Sequence, residues 1–164
     1  MKIRLLIGFT VFLLLVACSP EEDKEDQLLS SNVQYIGDNN LFLSSLESLE
    51  IDFENLSTIN LNLPDNKLVL IEPSYIPHIS RELIITALKE GYYVFFINLD
   101  DSRIIQEAYF GVIPYDIANK DKIWTEHLYL KDGQLQSVTI PTDPVIEQNL
   151  LEWLQYFDNH KLPM

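Results

Sequence analysis

The sequence predicts an α/β domain in which a mixed β-sheet lies between helices on both of its faces. Two short apolar segments, residues 67–71 and 92–98, are typical of strands that are buried on both sides, and a helical pattern separates them. A strand–helix–strand unit of this kind makes its two strands parallel, with a right-handed crossover. The pair Asp132-Gly133 between two further strand-like runs predicts an antiparallel hairpin that extends the same sheet.

Residues with capping preferences mark the ends of the first two predicted helices. Ser80 is placed to cap a helix that begins after it, and Gly91 follows the end of that helix. Asp100 or Asp101 is placed to cap a second helix over residues 102–110, which Gly111 ends.

The hairpin strands, residues 124–130 and 135–140, are followed by the signal for a closing helix. Asp143 serves as its cap and Pro144 occupies its first position. An apolar stripe at helical spacing, which we expect to face the sheet, consists of Ile146, Leu150, Trp153 and Phe157.

Residues 32–63 carry the weakest pattern. Their leucines do not recur with a period of 20–29 residues, which excludes leucine-rich repeats. We predict strands near residues 50–53 and 58–63 and a turn at Pro64-Asp65-Asn66.

The amino terminus has the features of a secretory signal peptide over residues 1–17. Lys2 and Arg4 precede an uncharged apolar run, residues 5–17. As a helix this run is about 20 Å long, shorter than the roughly 30 Å hydrocarbon core of a bilayer. A cleaved signal is therefore favoured over a membrane span.

The segment Leu15-Val16-Ala17-Cys18 resembles the lipobox of bacterial lipoproteins. The resemblance implies that Cys18 receives acyl chains such as palmitate, becomes the first residue of the mature chain, and anchors it to the extracytoplasmic face of the cell membrane. Residues 18–31 then form an acidic tether and residues 32–164 a single domain.

The cysteine count and the charge exclude several functions. Cys18 is the only cysteine, so an acylated chain has no thiol for a disulfide, for thiol exchange or for a zinc site. The formal net charge of −14 predicts repulsion from nucleic acids. We expect no cofactor and no metal.

The stretch SYIPHISREL, residues 74–83, resembles the active-site loop of thioredoxin-like proteins, in which an aromatic residue precedes C-x-x-C at a helix start. LYLKDGQLQSVTI and NLLEWLQYF resemble the final hairpin and closing helix of that family. The resemblance implies a three-layer thioredoxin-like sandwich, similar to membrane-anchored thiol–disulfide oxidoreductases. A flavodoxin-like or other doubly wound α/β domain is the alternative.

The chain departs from that family wherever the family's redox chemistry resides. Ile76 and Ile79 stand at the two cysteine positions. Thr125 falls at the position of the family's cis-proline, and Leu70 at that of a buried carboxylate. The resemblance therefore implies a redox-inactive domain, since two alkyl side chains cannot attack a disulfide. Ile76 and Ile79 are also explained as core contacts around the Ser80 cap.

Three functions follow from these features. The leading one is non-catalytic binding of a protein or peptide in a groove at the degenerate active site, formed by Tyr75, Ile76, Pro77, His78, Ile79, Ser80 and Thr125. The second is an extracytoplasmic enzyme with an acidic or metal site at the strand ends, formed by Glu72, Asp100 and Asp101. The third is an accessory subunit of a membrane complex.

Overall fold

A six-stranded mixed sheet forms the centre of the protein, in the order β2-β1-β3-β4-β5-β6. The computed structural model describes residues 29–112, 123–142 and 150–159. The first four strands are parallel, and the last two are antiparallel to their neighbours. The strands are β1 (Asn32–Ile36), β2 (Asp52–Asn55), β3 (Leu68–Ile71), β4 (Tyr93–Leu99), β5 (Ile123–Lys131) and β6 (Gln134–Thr142).

Helices cover both faces of the sheet. They are α1 (Asn40–Ser48), α2 (Arg81–Lys89), α3 (Arg103–Ile105), which continues as a π-helical segment, Gln106–Phe110, and α4 (Leu150–Asn159). Short 3₁₀ helices occur at Leu29–Ser31 and Pro73–His78. Side chains of α2 and α3 pack on one face, and those of α1 and α4 on the other. The predicted α/β class, a mixed sheet between two helical layers, is confirmed.

The central strands are apolar on both faces because each face has its own core. In β3, Val69 and Ile71 point towards α2 and α3, whereas Leu68 and Leu70 point towards α1 and α4. All four side chains are fully buried. The pattern of β4 is the same, which explains why both segments read as continuous apolar runs in the sequence.

The strand order shows how the chain winds. From β1 it passes through α1 to β2 on one side, and from β3 through α2 to β4 on the other. The order of the first five strands, β2-β1-β3-β4-β5, is that of flavodoxin-like doubly wound sheets, although β5 is antiparallel here. The arrangement of one sheet between two helical layers agrees with both predicted folds, the thioredoxin-like sandwich and the doubly wound α/β domain.

Most predicted boundaries lie where the sequence signals place them. The Ser80 hydroxyl accepts a hydrogen bond from the Leu83 amide at 3.1 Å, as an N-cap does. The Asp101 carboxylate accepts one from the Arg103 amide at 2.9 Å, although Ser102 rather than Asp101 occupies the N-cap position of that helix. Asp132 and Gly133 have φ values of 53° and 73°, as a two-residue type I′ hairpin turn requires.

The region from residue 32 to residue 63 agrees with the prediction only in part, since the strand predicted near residues 50–53 is present as β2. Strand β1 and helix α1 were not predicted, and the strand predicted at residues 58–63 is wrong, since those residues form a loop. Buried Gln34 in β1 holds this loop: its Nε2 donates to the Asn60 carbonyl at 2.9 Å and its Oε1 accepts from the Asn60 amide at 2.9 Å. A side chain thus supplies the hydrogen bonds that a neighbouring strand would otherwise supply.

A hydrogen bond joins the first and the last described segments of the domain. Ser30, which falls in the predicted tether, donates from its amide to the Asp158 carboxylate at 3.0 Å, so the folded unit begins before residue 32. In α4, Leu154 is buried in the core that contains Leu70. Asp143, Pro144 and Ile146, together with the predicted signal peptide and Cys18, lie outside the described residues.

Within the described residues, none of the helices combines the length and the apolar character that crossing a bilayer demands.

Candidate binding groove at the carboxyl ends of the parallel strands

A groove opens where the chain leaves β3 and β4. These strands are parallel neighbours, so the loop after β3 and the helix after β4 lie side by side on the same face of the sheet. The space between them has a volume of about 510 Å³. Its lining residues are Ile76, Pro77, Ile79, Ser80, Arg81, Ile104, Glu107, Ala108 and Tyr109.

Hydrogen bonds to Tyr109 fix the two walls of the groove to each other. The Tyr109 hydroxyl lies 3.3 Å from the carbonyl oxygens of both Ile76 and Ile79, and it can donate to either. The Arg81 Nε donates to the Tyr109 carbonyl at 2.9 Å. Burial raises the pKa of Tyr109, so the phenol keeps the proton that it donates.

Four of the seven predicted site residues line this groove. Ile76 and Ile79 form its floor but are only 4% and 3% exposed, because they also belong to the hydrophobic core. Pro77 and Ser80 are exposed at its rim. The interpretation of the two isoleucines as core contacts around the Ser80 cap therefore agrees with their positions.

The other three predicted residues lie elsewhere. Tyr75 and His78 are outside the lining and make an edge-to-face contact with each other, with 6.4 Å between ring centroids. Thr125 is fully buried in β5, and β4 lies between it and β3, so it does not join the groove. Leu70 points to the opposite face of the sheet from Ile76 and Ile79.

Much of the groove comes from residues that the sequence analysis did not assign to a site. Ile104, Glu107, Ala108 and Tyr109 belong to the helix after β4. The available signal was the predicted parallel pairing of the two apolar strands, which places the segments that follow them at the same edge of the sheet.

The three carboxylates predicted for an acidic site are not gathered together. The Glu72 Oε2 accepts a hydrogen bond from the Asp38 amide at 3.4 Å, so Glu72 turns towards the segment after β1. Asp100 and Asp101 follow β4, which lies on the other side of β3. Asp101 pairs with Arg103, whose hydrogen bond lowers the pKa of that carboxyl, and Asp100 is exposed. The described residues contain no group of three or more His, Cys, Asp or Glu side chains arranged to hold a metal ion.

Glu72 instead takes part in a buried link between β1 and β3. Burial raises the pKa of Tyr35, and the charge of Glu72 and a hydrogen bond to it raise that pKa further. The Tyr35 hydroxyl also accepts from the Asn39 amide at 3.3 Å, at the start of α1. A Cβ atom at Gly37 would overlap the Tyr35 phenol, so this turn excludes larger residues.

A second buried carboxylate, which the sequence analysis missed, lies beneath the π-helical segment. Glu126 in β5 is fully buried, and its Oε1 accepts from the Gln106 side chain at 3.1 Å. Among the described residues, no hydrogen-bond partner reaches its Oε2. Burial raises the pKa of Glu126, and hydrogen bonding with Ser137, Thr139 and Gln106 offsets part of that rise.

Comparison of the chain with protein-family models, with curated proteins and with solved structures found no match.

The raised pKa of Glu126 predicts a stability that falls as the pH rises. Between the ordinary glutamate value, about 4.3, and the higher folded value, the folded state binds more protons than the unfolded chain, so deprotonation favours unfolding. Replacing Glu126 by Gln removes this titration. We expect Glu126→Gln to be the more stable protein at pH 7 and to differ little from the parent at pH 4. The difference in the free energy of unfolding at pH 7 should be about 1.4 kcal/mol for each unit by which the pKa of Glu126 is raised.

Thermal and denaturant unfolding at both pH values measure this difference. Glu54→Gln, at an exposed position in β2, is the matched control and should show no comparable change with pH. Equal stabilities of Glu126→Gln and the parent protein at both pH values would show that Glu126 is charged in the folded state at little cost.

Proposed function

We propose that this chain is a lipid-anchored extracytoplasmic protein that binds a segment of another protein, or a peptide, in the groove between the loop after β3 and the helix after β4. The observation that carries the proposal is the groove itself, whose walls are tied together at Tyr109. A binding role without chemistry also agrees with isoleucines where the resembling family has its reactive cysteines.

The lining of the groove suits a polypeptide segment. Ile76 and Ile79 offer an apolar floor, and Ile104 at the rim is 40% exposed, a large apolar side chain on the protein surface. Arg81 and Glu107 add one charge of each sign. An apolar centre with a few polar groups at its edge is the usual anatomy of protein interfaces.

The amino-terminal features support attachment to a membrane. An acylated Cys18 would leave residues 18–28 as a tether before the first described helix. A chain of that length reaches at most about 40 Å when it is fully extended. The groove would then work within a short distance of the membrane surface, on a partner that is in the membrane or passes close to it.

A charge at the rim of the groove should abolish partner binding. With a photoreactive amino acid in place of exposed Ala108, we expect irradiation of cells that carry the full chain to give a specific adduct. Ile104→Lys should remove that adduct, because it puts a charge against an apolar partner surface. The measurement is the intensity of the adduct band, followed by mass spectrometry.

Leu49→Lys is the matched control, since Leu49 at the end of α1 is 38% exposed and lies away from the groove. It should leave the Ala108 adduct unchanged, and a photoreactive residue at Leu41 should give no such adduct. Equal loss of the adduct in Ile104→Lys and Leu49→Lys, or the same adduct from position 41, would contradict binding in the groove.

The lipid anchor is tested by Cys18→Ala. Without the thiol no acyl chain can be attached, so we expect the variant to remain as an unprocessed precursor or to leave the membrane fraction. Metabolic labelling with palmitate and fractionation of cells measure both effects. Labelling and membrane retention equal to those of the parent chain would contradict the anchor and leave the groove proposal untouched.

A further inference from the structure

The two edges of the sheet differ in length and in charge. At one edge, β2 has only four residues, and two of them, Asp52 and Glu54, are acidic and exposed. Short, charged edge strands resist pairing with other chains. At the other edge, β6 has nine residues, Gln134–Thr142, and no charged side chain among them. Although the chain has a net charge of −14, no charged side chain on β6 opposes the pairing of this edge with another strand.

The hairpin turn determines which backbone groups of β6 face outwards. A two-residue turn makes the flanking pair, Lys131 and Gln134, a hydrogen-bonded pair, and bonded and non-bonded pairs then alternate along the strands. Gln136, Val138 and Ile140 therefore bond to β5. The amides and carbonyls directed away from the sheet are those of Leu135, Ser137 and Thr139.

Pro141 agrees with this alternation. It occupies a position whose amide would point outwards, where a proline removes no bond to β5. In the part of the chain that the structure describes, β5 is the only strand paired with β6, so the outward row is unpaired there.

We propose that this row pairs, antiparallel, with the same row of a second copy of the chain, about a two-fold axis at Ser137. In this register Ser137 lies opposite its own copy, and Leu135 lies opposite Thr139 of the partner subunit. Each outward amide then meets a carbonyl. A register centred on Thr139 would instead place Pro141, which has no amide proton, opposite Ser137.

Charge favours a second copy at this edge. Two chains of net charge −14 repel each other, and the repulsion is weakest where the surfaces in contact carry no charge. Pairing through β6 sets no charged side chain opposite another. It also covers Val138, which is 42% exposed, with Gln136 of the partner subunit. This pairing is independent of the groove and of the lipid anchor.

Cysteine cross-linking in membranes of cells that carry the full chain tests the pairing. Residues opposite each other in a hydrogen-bonded pair have Cα atoms about 5.5 Å apart, within the range that a disulfide spans, roughly 4.4–6.8 Å. We expect Ser137→Cys to give a disulfide-linked dimer on mild oxidation. Asn55→Cys, exposed on the β2 edge, is the matched control and should give none.

Thr139→Pro in the Ser137→Cys background provides the second variant. Thr139 is exposed and its amide points outwards, so proline leaves the bonds to β5 in place but removes a donor from the dimer. Proline also removes the Thr139 hydroxyl, which hydrogen-bonds with Glu126, so Thr139→Val in the same background is the reference. The dimer should persist in Thr139→Val and be lost in Thr139→Pro, while the two variants have similar melting temperatures.

Several outcomes would overturn the proposal: no dimer from Ser137→Cys, equal dimer from Asn55→Cys, a dimer that survives Thr139→Pro, or an adduct in which mass spectrometry finds a different protein. The parent chain, with Cys18 alone, separates this test from that of the anchor. A dimer formed by the parent would report a free Cys18 and hence a failure of lipidation.

Discussion

Burial of β3 and β4 on both faces is the constraint on which the rest of the structure depends. Val69 and Leu70 of a single strand point into two different cores, so each face needs its own helices. Helix α1, which follows β1, covers one face of the sheet, and helix α2, which follows β3, covers the other. Because β3 and β4 are parallel neighbours, the segments after them meet at one edge, and the groove forms there.

Buried polar side chains then hold the irregular segments that this winding creates. Gln34 holds the loop around Asn60, Glu72 joins Tyr35 where β1 and β3 end, and Gln106 joins Glu126 beneath the π-helical segment. In each case a side chain on or next to a strand satisfies groups on a neighbouring segment. Such buried bonds are costly to break, since the group left behind is already out of water. They fix the positions of segments that apolar packing alone would leave variable.

How much of the fold can be predicted from the sequence depends on how far apart in the chain the interacting residues are. Ser80 and the Asp132-Gly133 turn were predictable because a cap and a tight turn are set by residues a few positions apart. The loop at residues 58–63 was predicted wrongly because the hydrogen bonds that hold it come from Gln34 and Tyr92, both far away in the chain. The position of Tyr109 depends on how the helix after β4 packs, whereas a local resemblance predicted four of the groove residues, Ile76, Pro77, Ile79 and Ser80. Thr125 was placed by that resemblance, and the strand order puts β4 between it and β3.

Hydrogen–deuterium exchange of the full chain tests most directly whether β3 and β4 form the doubly covered centre of the sheet, with β1 beside β3. The slowest amides should be those of Leu68–Ile71 and of residues 94–97, and β1, Asn32–Ile36, should also be strongly protected. The loop at residues 58–63 should exchange much faster. Rapid exchange throughout β1, together with strong protection of residues 58–63, would contradict this arrangement, because the strand paired with β3 would then be a different segment.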